Sequence, residues 1–407
     1  MTEIFLLARF FFFDWIAWTL AFLALGIILF IAAKKVCSTR MELFLLALFG
    51  FSAIFWLLSS GIPSTLAYPW NLTTYGPAAG PSLPVANALT FFKNFDGFER
   101  VDDIARDPRD LPGPIERDYE DDVYITIEAR EVVSDMAEDV TFNYWTFGGQ
   151  VPGPFLRVRE GDNVHLTLKN LETNIHQHSI DLHAVTGPGG GSAVIGANPG
   201  EENTLDFKAL NPGLYVYHCA TPNVANHMAH GMYGLILVEP KEKLTVVDHE
   251  FYVMQGEFYS VGELGRKGLQ VFDGKKMLAG DPSYIVFNGR TGALTDQMQV
   301  NTGESVRMYV GNGGVNLISS FHIIGEIFDR VFPEAATNVV LENVQTTLVP
   351  AGGATMVEFT AEVPGTYILV DHALARLDRG AWGTLIVNGE ENPDIYHGDK
   401  ETSDHTH

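Results

Sequence analysis

Apolar and polar positions divide the chain into three parts. Two long apolar runs come first, at Trp15–Ala33 and Leu43–Ile62, and each is close to the roughly 20 residues that cross a bilayer core as a helix. A proline-rich stretch follows. From Asp122 onward the pattern changes to short runs in which apolar and polar residues alternate between glycine, proline and asparagine, such as VYITIEAREV, VHLTLKN and GLYVYHC. Such runs at this spacing predict an all-β sandwich.

The β region contains a duplicated motif. DFKALNPGLY at 206–215 matches EFTAEVPGTY at 358–367, and GMYG at 231–234 is echoed by GAWG at 380–383. Two copies of one sandwich are therefore expected in tandem. The second copy has Asp371 and Ala381 where the first has Cys219 and Met232.

These patterns predict five segments along the chain. Lys34, Lys35 and Arg40 lie between the apolar runs, which places that loop in the cytoplasm and the rest of the chain on the other face. A cleaved signal peptide is the alternative for the first run, but the lysines stand where a small-residue cleavage site belongs. The predicted segments are a two-helix transmembrane anchor at 1–62, a proline-rich linker at 63–118, a first sandwich at 119–242, a second at 243–390 and a polar tail at 391–407.

The net charge and the cysteine content restrict which classes of molecule the protein is expected to bind and whether it contains disulfides. The 407 residues carry a formal net charge of −24, so nucleic acid is not an expected partner. Because the overall charge is negative, a small anionic substrate would be bound only where a local cation attracts it. The only two cysteines, Cys37 and Cys219, lie far apart in different segments, so no disulfide framework is predicted.

One short loop in the first sandwich carries a soft metal-ligand pattern. Cys219 is followed by His227 and Met232, and a thiolate, an imidazole and a weak axial thioether suit a copper ion that transfers single electrons, once a second imidazole is supplied. The alternative is a buried free cysteine near unrelated histidines. His218 precedes Cys219 directly and, as its neighbour on a strand, faces the other way.

Further imidazoles come from other strands. His178 and His183 are separated by an odd number of positions, so one can face the Cys219 site and the other can face away, beside His218. His372, next to the position equivalent to Cys219 in the second sandwich, is a candidate third ligand for an all-imidazole site with an open position.

Two more side chains near that second site are candidate general acids. Asp181 lies between the two histidines of the first sandwich, and His322 lies in SSFHIIGEIF of the second. A histidine changes charge in the useful pH range. The adjacent pair His218 and Cys219 would then connect two metal ions.

The chain resembles the copper-containing nitrite reductases, most closely the branch found in Neisseria. The likeness covers about 120–390 and is carried by FNYWTFGGQVPGPFLRVREGD (142–162), DLHAVTGPGGG (181–191), FKALNPGLYVYHCATPNVANHMAHGMYGLILVEPKE (207–242), GNGGVNLISSFHIIGEIFDRVF (311–332), NVQTTLVPAGGATMVEF (343–359) and VPGTYILVDHALAR (363–376). It implies two tandem cupredoxin-like Greek-key β-sandwiches and one-electron reduction of nitrite to nitric oxide.

The resemblance also implies a role for each candidate residue, with two copper ions per chain. The type 1 copper that accepts electrons would be held by His178, Cys219, His227 and Met232. The type 2 copper that binds nitrite would be held by His183, His218 and His372. Asp181 and His322 would deliver protons. The family is homotrimeric with its type 2 site between subunits, so His372 is expected from a neighbouring subunit.

Three features depart from the family pattern. Ser179 stands where the family usually has asparagine, and His176 offers another imidazole two residues before His178, so the first type 1 ligand stays open between these two histidines. The two apolar spans predict a location in the cytoplasmic membrane, with the catalytic sandwiches on the periplasmic side. The expected electron donor is a cytochrome c, a cupredoxin or quinol.

Two other functions compete with this interpretation. A two-domain multicopper oxidase would need several His-x-His pairs for its trinuclear cluster, whereas this chain has only His176–His178 and His405–His407. A membrane-tethered electron-carrier cupredoxin would use Cys219 and its loop but leave His183, His218 and His372 without a role.

Overall fold

A computed structural model describes residues 97–398 and isolated positions between 20 and 50. Among these residues no helix combines the length and the apolar character needed to cross a membrane. Apart from those isolated positions, the predicted spans at 15–33 and 43–62 lie outside the described residues, as do the linker up to residue 96 and the tail beyond 398.

The described region is built mainly of strands, as the alternating pattern predicted. The strands are β1 Glu99–Arg100, β2 Asp122–Ala137, β3 Val140–Phe147, β4 Leu156–Arg159, β5 Asn163–Asn170, β6 Asp181–Leu182, β7 Glu202–Lys208, β8 Gly213–His218, β9 Tyr233–Glu239, β10 His249–Phe258, β11 Gly268–Leu269, β12 Tyr284–Phe287, β13 Met298–Asn301, β14 Ser305–Asn312, β15 Ser319–Ile324, β16 Phe328–Phe332, β17 Leu341–Val344, β18 Thr346–Val349, β19 Ala354–Thr360, β20 Gly365–Asp371 and β21 Trp382–Asn388.

Helices in the described region are short and lie in the connections. They are α1 Ser192–Ile195, α2 Val224–Met228 and α3 Gly274–Ala279, with 3-10 turns at Pro188–Gly191, Pro333–Ala335 and Leu374–Arg379. The first turn of α3 is capped by the carboxylate of Asp273, which accepts hydrogen bonds from the backbone N–H groups of Lys275 and Lys276. The predicted ligand loop therefore contains one helix, α2.

Four sheets form two sandwiches. The first sandwich pairs the sheet β11-β3-β2-β5-β7, with β1 on β2, with the sheet β4-β9-β8-β6. The second pairs β12-β10-β14-β19-β16-β17 with β13-β21-β20-β15-β18. Strands distant in sequence run parallel at matching places, β2 with β5 in the first copy and β10 with β14 in the second. The duplicated motif thus folds into two copies of one topology.

The alternating pattern explains the cores. In β5, Val164, Leu166 and Leu168 are buried while the intervening side chains are less so, because successive residues of a strand face opposite sides. Each sandwich has its own apolar cluster, and a third cluster joins β3, β8 and β9 of the first copy to β10, β14 and β19 of the second. Strands such as β9, buried along their whole length, therefore lie between two cores.

The second sandwich also extends across the first. Between β10 and β12, β11 pairs in parallel with Val140 and Thr141 of β3 and so completes a sheet of the first copy. Farther along this extension, Phe272 and Met277 form a small apolar cluster with Ala229 at the end of the ligand loop. The loop that carries the predicted type 1 ligands is thus enclosed by both sandwiches.

Candidate metal centres

Three side chains of the first sandwich converge on one buried point. The Cys219 sulfur lies 3.3 Å from Nδ1 of His227 and 3.9 Å from Nδ1 of His178. The possible ligand atoms of all three residues lie within 4.8 Å of one another. Cys219 and His178 are fully buried and His227 nearly so.

The backbone around Cys219 fixes this arrangement. Cys219 directly follows β8, and its N–H donates to the Met232 carbonyl at 3.1 Å, which brings the start and end of the ligand loop together. The Met232 side chain is fully buried in the same core. From the side of β6, the Ser179 N–H approaches the Cys219 sulfur at 3.5 Å, and its hydroxyl accepts from the Ala220 N–H.

The electrostatics of the pocket favour a thiolate. Burial alone would raise the pKa of Cys219, but the charge of His227 and hydrogen bonds from His178 and His227 bring that pKa well below its ordinary value. Burial lowers the pKa of His178, yet its contacts with Cys219 and Glu131 outweigh burial and raise this pKa to about 9. An anionic sulfur with two imidazoles close by is a position that stabilises a cation.

Glu131 is a pocket residue that the sequence patterns did not reveal. Its side chain is fully buried on β2, and Oε1 lies 3.2 Å from Nε2 of His178 and 3.0 Å from Nδ1 of His176. Burial alone would raise the pKa of Glu131, but the charge of His176 and hydrogen bonds from both imidazoles keep it below its ordinary value. The local signal in the sequence was limited to an acidic residue placed directly before the two apolar residues Val132 and Val133 of β2.

A second group of donors lies on the opposite side of the His218–Cys219 dipeptide. Nε2 of His183 and Nε2 of His218 are 3.2 Å apart, and Asp181 lies 3.9 Å from the latter atom. His218 Nδ1 donates to the Cys219 carbonyl at 3.0 Å, so Nε2 is the ring nitrogen left to bind a metal. Burial and the charge of His218 lower the pKa of His183, which favours the neutral, metal-binding form of this imidazole.

His322 and His372 form a separate pair in the second sandwich. Their rings lie 5.3 Å apart, and His322 Nδ1 donates to the Gln345 carbonyl at 2.5 Å. Among the described residues, the candidate metal-binding group on this side contains Asp181, His183 and His218 but neither His322 nor His372. One chain therefore brings together two of the three predicted type 2 ligands.

The two donor sets fit copper. A buried thiolate with two imidazoles and a nearby methionine matches the soft His2Cys copper site, and paired neutral imidazoles also suit copper. The Ser179 N–H is directed at the sulfur at 3.5 Å, and this contact comes from the backbone rather than from the serine side chain.

Comparison with known proteins agrees with these donor sets. A family model described as multicopper oxidase matches residues 129–243. The copper-containing nitrite reductase of Neisseria meningitidis serogroup A is 50% identical over 298 residues, which cover 72% of this chain and 77% of that protein. This chain belongs to the copper-containing nitrite reductase family.

A further sequence relative and a solved structure support the assignment of this nitrite reductase to the family. The copper-containing nitrite reductase of Neisseria gonorrhoeae is also 50% identical over 298 residues, covering 72% of this chain and 76% of that protein. A solved copper nitrite reductase from Nitrosomonas europaea has a TM-score of 0.60 at 33% identity and covers 67% of this chain and 96% of that chain. As a member of the family, the protein is a copper oxidoreductase.

Proposed function

We propose that the protein is a membrane-anchored enzyme that reduces nitrite to nitric oxide with one electron and two protons, releasing one water. The observation that carries the proposal is the His218–Cys219 dipeptide, whose adjacent side chains belong to two separate groups of donors, a buried one around Cys219 and a more exposed one around His218. In the proposal, His178, Cys219, His227 and Met232 hold the type 1 copper. The covalent link between Cys219 and His218 would then connect the two sites and provide the path for the electron.

Type 2 copper would be held by His183 and His218 of one chain and His372 of a neighbouring chain in a homotrimer. The Nε2 atoms of His183 and His218, which lie 3.2 Å apart, supply two ligands, and the separation of His372 from them within one chain supports a shared site. When bound there, copper supplies the positive charge that attracts nitrite to an otherwise acidic protein and delivers the electron.

Protons would come from two acids on the chain. Asp181 lies beside the His218 ligand atom, where its carboxyl can donate to a nitrite oxygen as an N–O bond breaks. Because His322 Nδ1 is bound to the Gln345 carbonyl, Nε2 is the ring atom available to donate or accept a proton. His322 lies beside His372, so a trimer that supplies one would supply both.

The remaining features concern location. Residues 1–62 would anchor the enzyme in the cytoplasmic membrane with the sandwiches, at 119–242 and 243–390, on the periplasmic face. The donor would be a cytochrome c, a cupredoxin or quinol. The match to the multicopper oxidase model also favours oxygen reduction as a second candidate, and consumption of nitrite against uptake of oxygen with an artificial donor separates the two.

The test combines metal analysis with electron paramagnetic resonance. Two coppers per chain with distinct type 1 and type 2 signals are expected, and a single copper type would contradict the proposal. His372→Ala should retain the type 1 signal and lose type 2 copper and turnover. Loss of neither copper in this variant would contradict the role of His372.

A mixed trimer tests sharing between chains. His372→Ala and His183→Ala chains should each be inactive alone, whereas their co-assembled trimers should regain part of the activity, because an intact pair of imidazoles on one chain meets an intact His372 on the next. The absence of any recovery in confirmed mixed trimers would contradict the shared site.

A further inference from the structure

One oxygen of Glu131 collects four N–H groups behind the thiolate pocket. Oε1 accepts from the backbone of Ile175 at 3.0 Å and of His176 at 2.8 Å. It also contacts His176 Nδ1 at 3.0 Å and His178 Nε2 at 3.2 Å. Oε2 is buried and has no hydrogen-bond partner within the described part of the chain. The carboxylate is thus engaged almost entirely by one loop and two imidazoles.

These contacts decide which nitrogen of each imidazole is available. A carboxylate only accepts hydrogen bonds, so His178 donates to Glu131 from Nε2, and Nδ1, the ring nitrogen that faces the Cys219 sulfur, is the one that can bind a metal. His176 likewise donates from Nδ1 to Glu131, and its ring packs on Trp145 with centroids 4.2 Å apart. The choice that the sequence left open between these histidines therefore favours His178 as the ligand.

We propose that Glu131 is a positioning residue for the type 1 copper, and that its charge, divided between His178 and His176, sets how readily that copper accepts an electron. The inference rests on the proposed function, which makes His178 a type 1 ligand. Carboxylate partners of metal-binding histidines orient the ring and raise its basicity. Because Glu131 is fully buried, its charge acts on the pocket with little screening by water.

An equivalent acid in the second sandwich makes it possible to distinguish an effect of Glu131 on the copper from its support of the 175–176 loop. Ala129 pairs with Asn170 in the first copy as Gln255 pairs with Asn312 in the second, so Glu257 is the counterpart of Glu131. Glu257 accepts from the backbone of Leu317 at 2.7 Å and of Asn316 at 3.2 Å.

The two acids differ in what else they contact. Within the described residues, the side-chain hydrogen-bond partner of Glu257 is the Tyr259 hydroxyl, whereas Glu131 contacts two imidazoles. Both acids therefore anchor a loop, but only Glu131 also contacts a proposed copper ligand. Glu257 is for this reason a matched control.

Opposite substitutions around Glu131 should have opposite effects. Glu131→Gln keeps the shape and an acceptor oxygen for the loop but removes the negative charge, so the oxidised, more positive copper is stabilised less and the type 1 reduction potential should rise. His176→Phe keeps a ring against Trp145 but removes the competing N–H. The carboxylate then accepts more strongly from His178, and the potential should fall.

The experiment is a redox titration of the type 1 absorption in the copper-loaded full chain, with copper titration of the metal-free chain as a second readout. Glu131→Gln should raise the potential and weaken type 1 copper binding by about tenfold or more, His176→Phe should lower the potential, and Glu257→Gln should change neither quantity. If Glu131→Gln fails to fold, His176→Phe still tests the inference.

Several results would overturn it. They are an unchanged potential in Glu131→Gln, shifts of the same sign in Glu131→Gln and His176→Phe, an unchanged potential in His176→Phe, or an equal shift in Glu257→Gln. None of these results would contradict the proposed function, provided that the unsubstituted protein shows both the type 1 and the type 2 copper signals. Absence of the type 1 signal from the unsubstituted protein would instead remove the proposed function.

Discussion

The two sandwiches place different chemistry on the same backbone frame. In the first, the Cys219 N–H donates to the Met232 carbonyl at 3.1 Å, and in the second, the Asp371 N–H donates to the Ala381 carbonyl at 3.3 Å. In both copies, a backbone N–H from a neighbouring segment is also directed at the side chain of Cys219 or Asp371. Ser179 directs its N–H at the Cys219 sulfur, and Ser320 directs its N–H at the Asp371 carboxylate at 3.1 Å.

The partner of the anion differs between the copies. The Met232 N–H donates to the His227 carbonyl and the Ala381 N–H to the Arg376 carbonyl, so Arg376 stands where the first copy has a proposed ligand. Its guanidinium forms an ion pair with the fully buried Asp371. Each copy thus holds an anion at the end of a strand, and a fixed guanidinium in one copy takes the position that the proposal gives to a copper ion in the other.

The largest expected effect is on the first copy. Cys219→Ser should abolish the type 1 absorption and lower nitrite turnover by more than about 100-fold, because loss of a ligand should exceed the cost of losing a ligand's hydrogen-bond partner. The type 2 resonance should remain. Cys37→Ser, at the other cysteine, is the control and should behave like the unsubstituted chain. Type 1 absorption that survives in Cys219→Ser would break the comparison.

Proton delivery provides the next test, since Asp181 and His322 occupy matching positions. Asp181 pairs with His218 across the sheet as His322 pairs with Val370. Asp181→Asn should retain both coppers and lower turnover by roughly 10²- to 10⁴-fold through loss of a general acid. Asp206→Asn, at an exposed acid on β7, is the control. Steady-state rates and metal analysis decide the matter, and unchanged turnover in Asp181→Asn would exclude its role.

The smallest effect concerns stability of the second copy. Arg376→Met leaves the buried Asp371 without its cation and should lower the free energy of unfolding by about 3 kcal/mol, with the type 1 spectrum unchanged. Adding Asp371→Asn should recover most of the loss, because the unpaired charge is then removed. Denaturant unfolding measures both variants. Equal stability of Arg376→Met and the unsubstituted chain would show that the ion pair does not replace the metal as a structural element.

Local pattern was enough to propose part of the site. Cys219, His227 and Met232 lie in one loop, so spacing alone indicated a shared ligand set. Strand alternation predicted that His178 and His183 face different sites, and the structure places them in two groups, although the strand between them contains only Asp181 and Leu182. The duplicated motif likewise predicted two sandwiches, because alternation and turn residues recur in both copies. These inferences needed only short stretches of chain.

Other features depend on contacts between distant segments. Glu131 reaches His178 from β2, and no spacing rule relates the two residues. The role of Arg376 follows from the backbone bonds around Asp371 rather than from its own sequence context. The separation of His372 from His183 depends on how whole sandwiches are arranged, which residue order along one strand does not describe.

The strand β11, contributed by the second sandwich to the edge of β3, has a consequence for attempts to divide this protein. A first sandwich produced alone would lose that strand and present unpaired N–H and C=O groups along β3, and such a bare edge invites pairing with other molecules. It would also lose Phe272 and Met277, which pack against Ala229 of the ligand loop. A minimal blue copper protein cut from this chain therefore needs the 259–283 extension grafted back, or a redesigned edge, to remain monomeric.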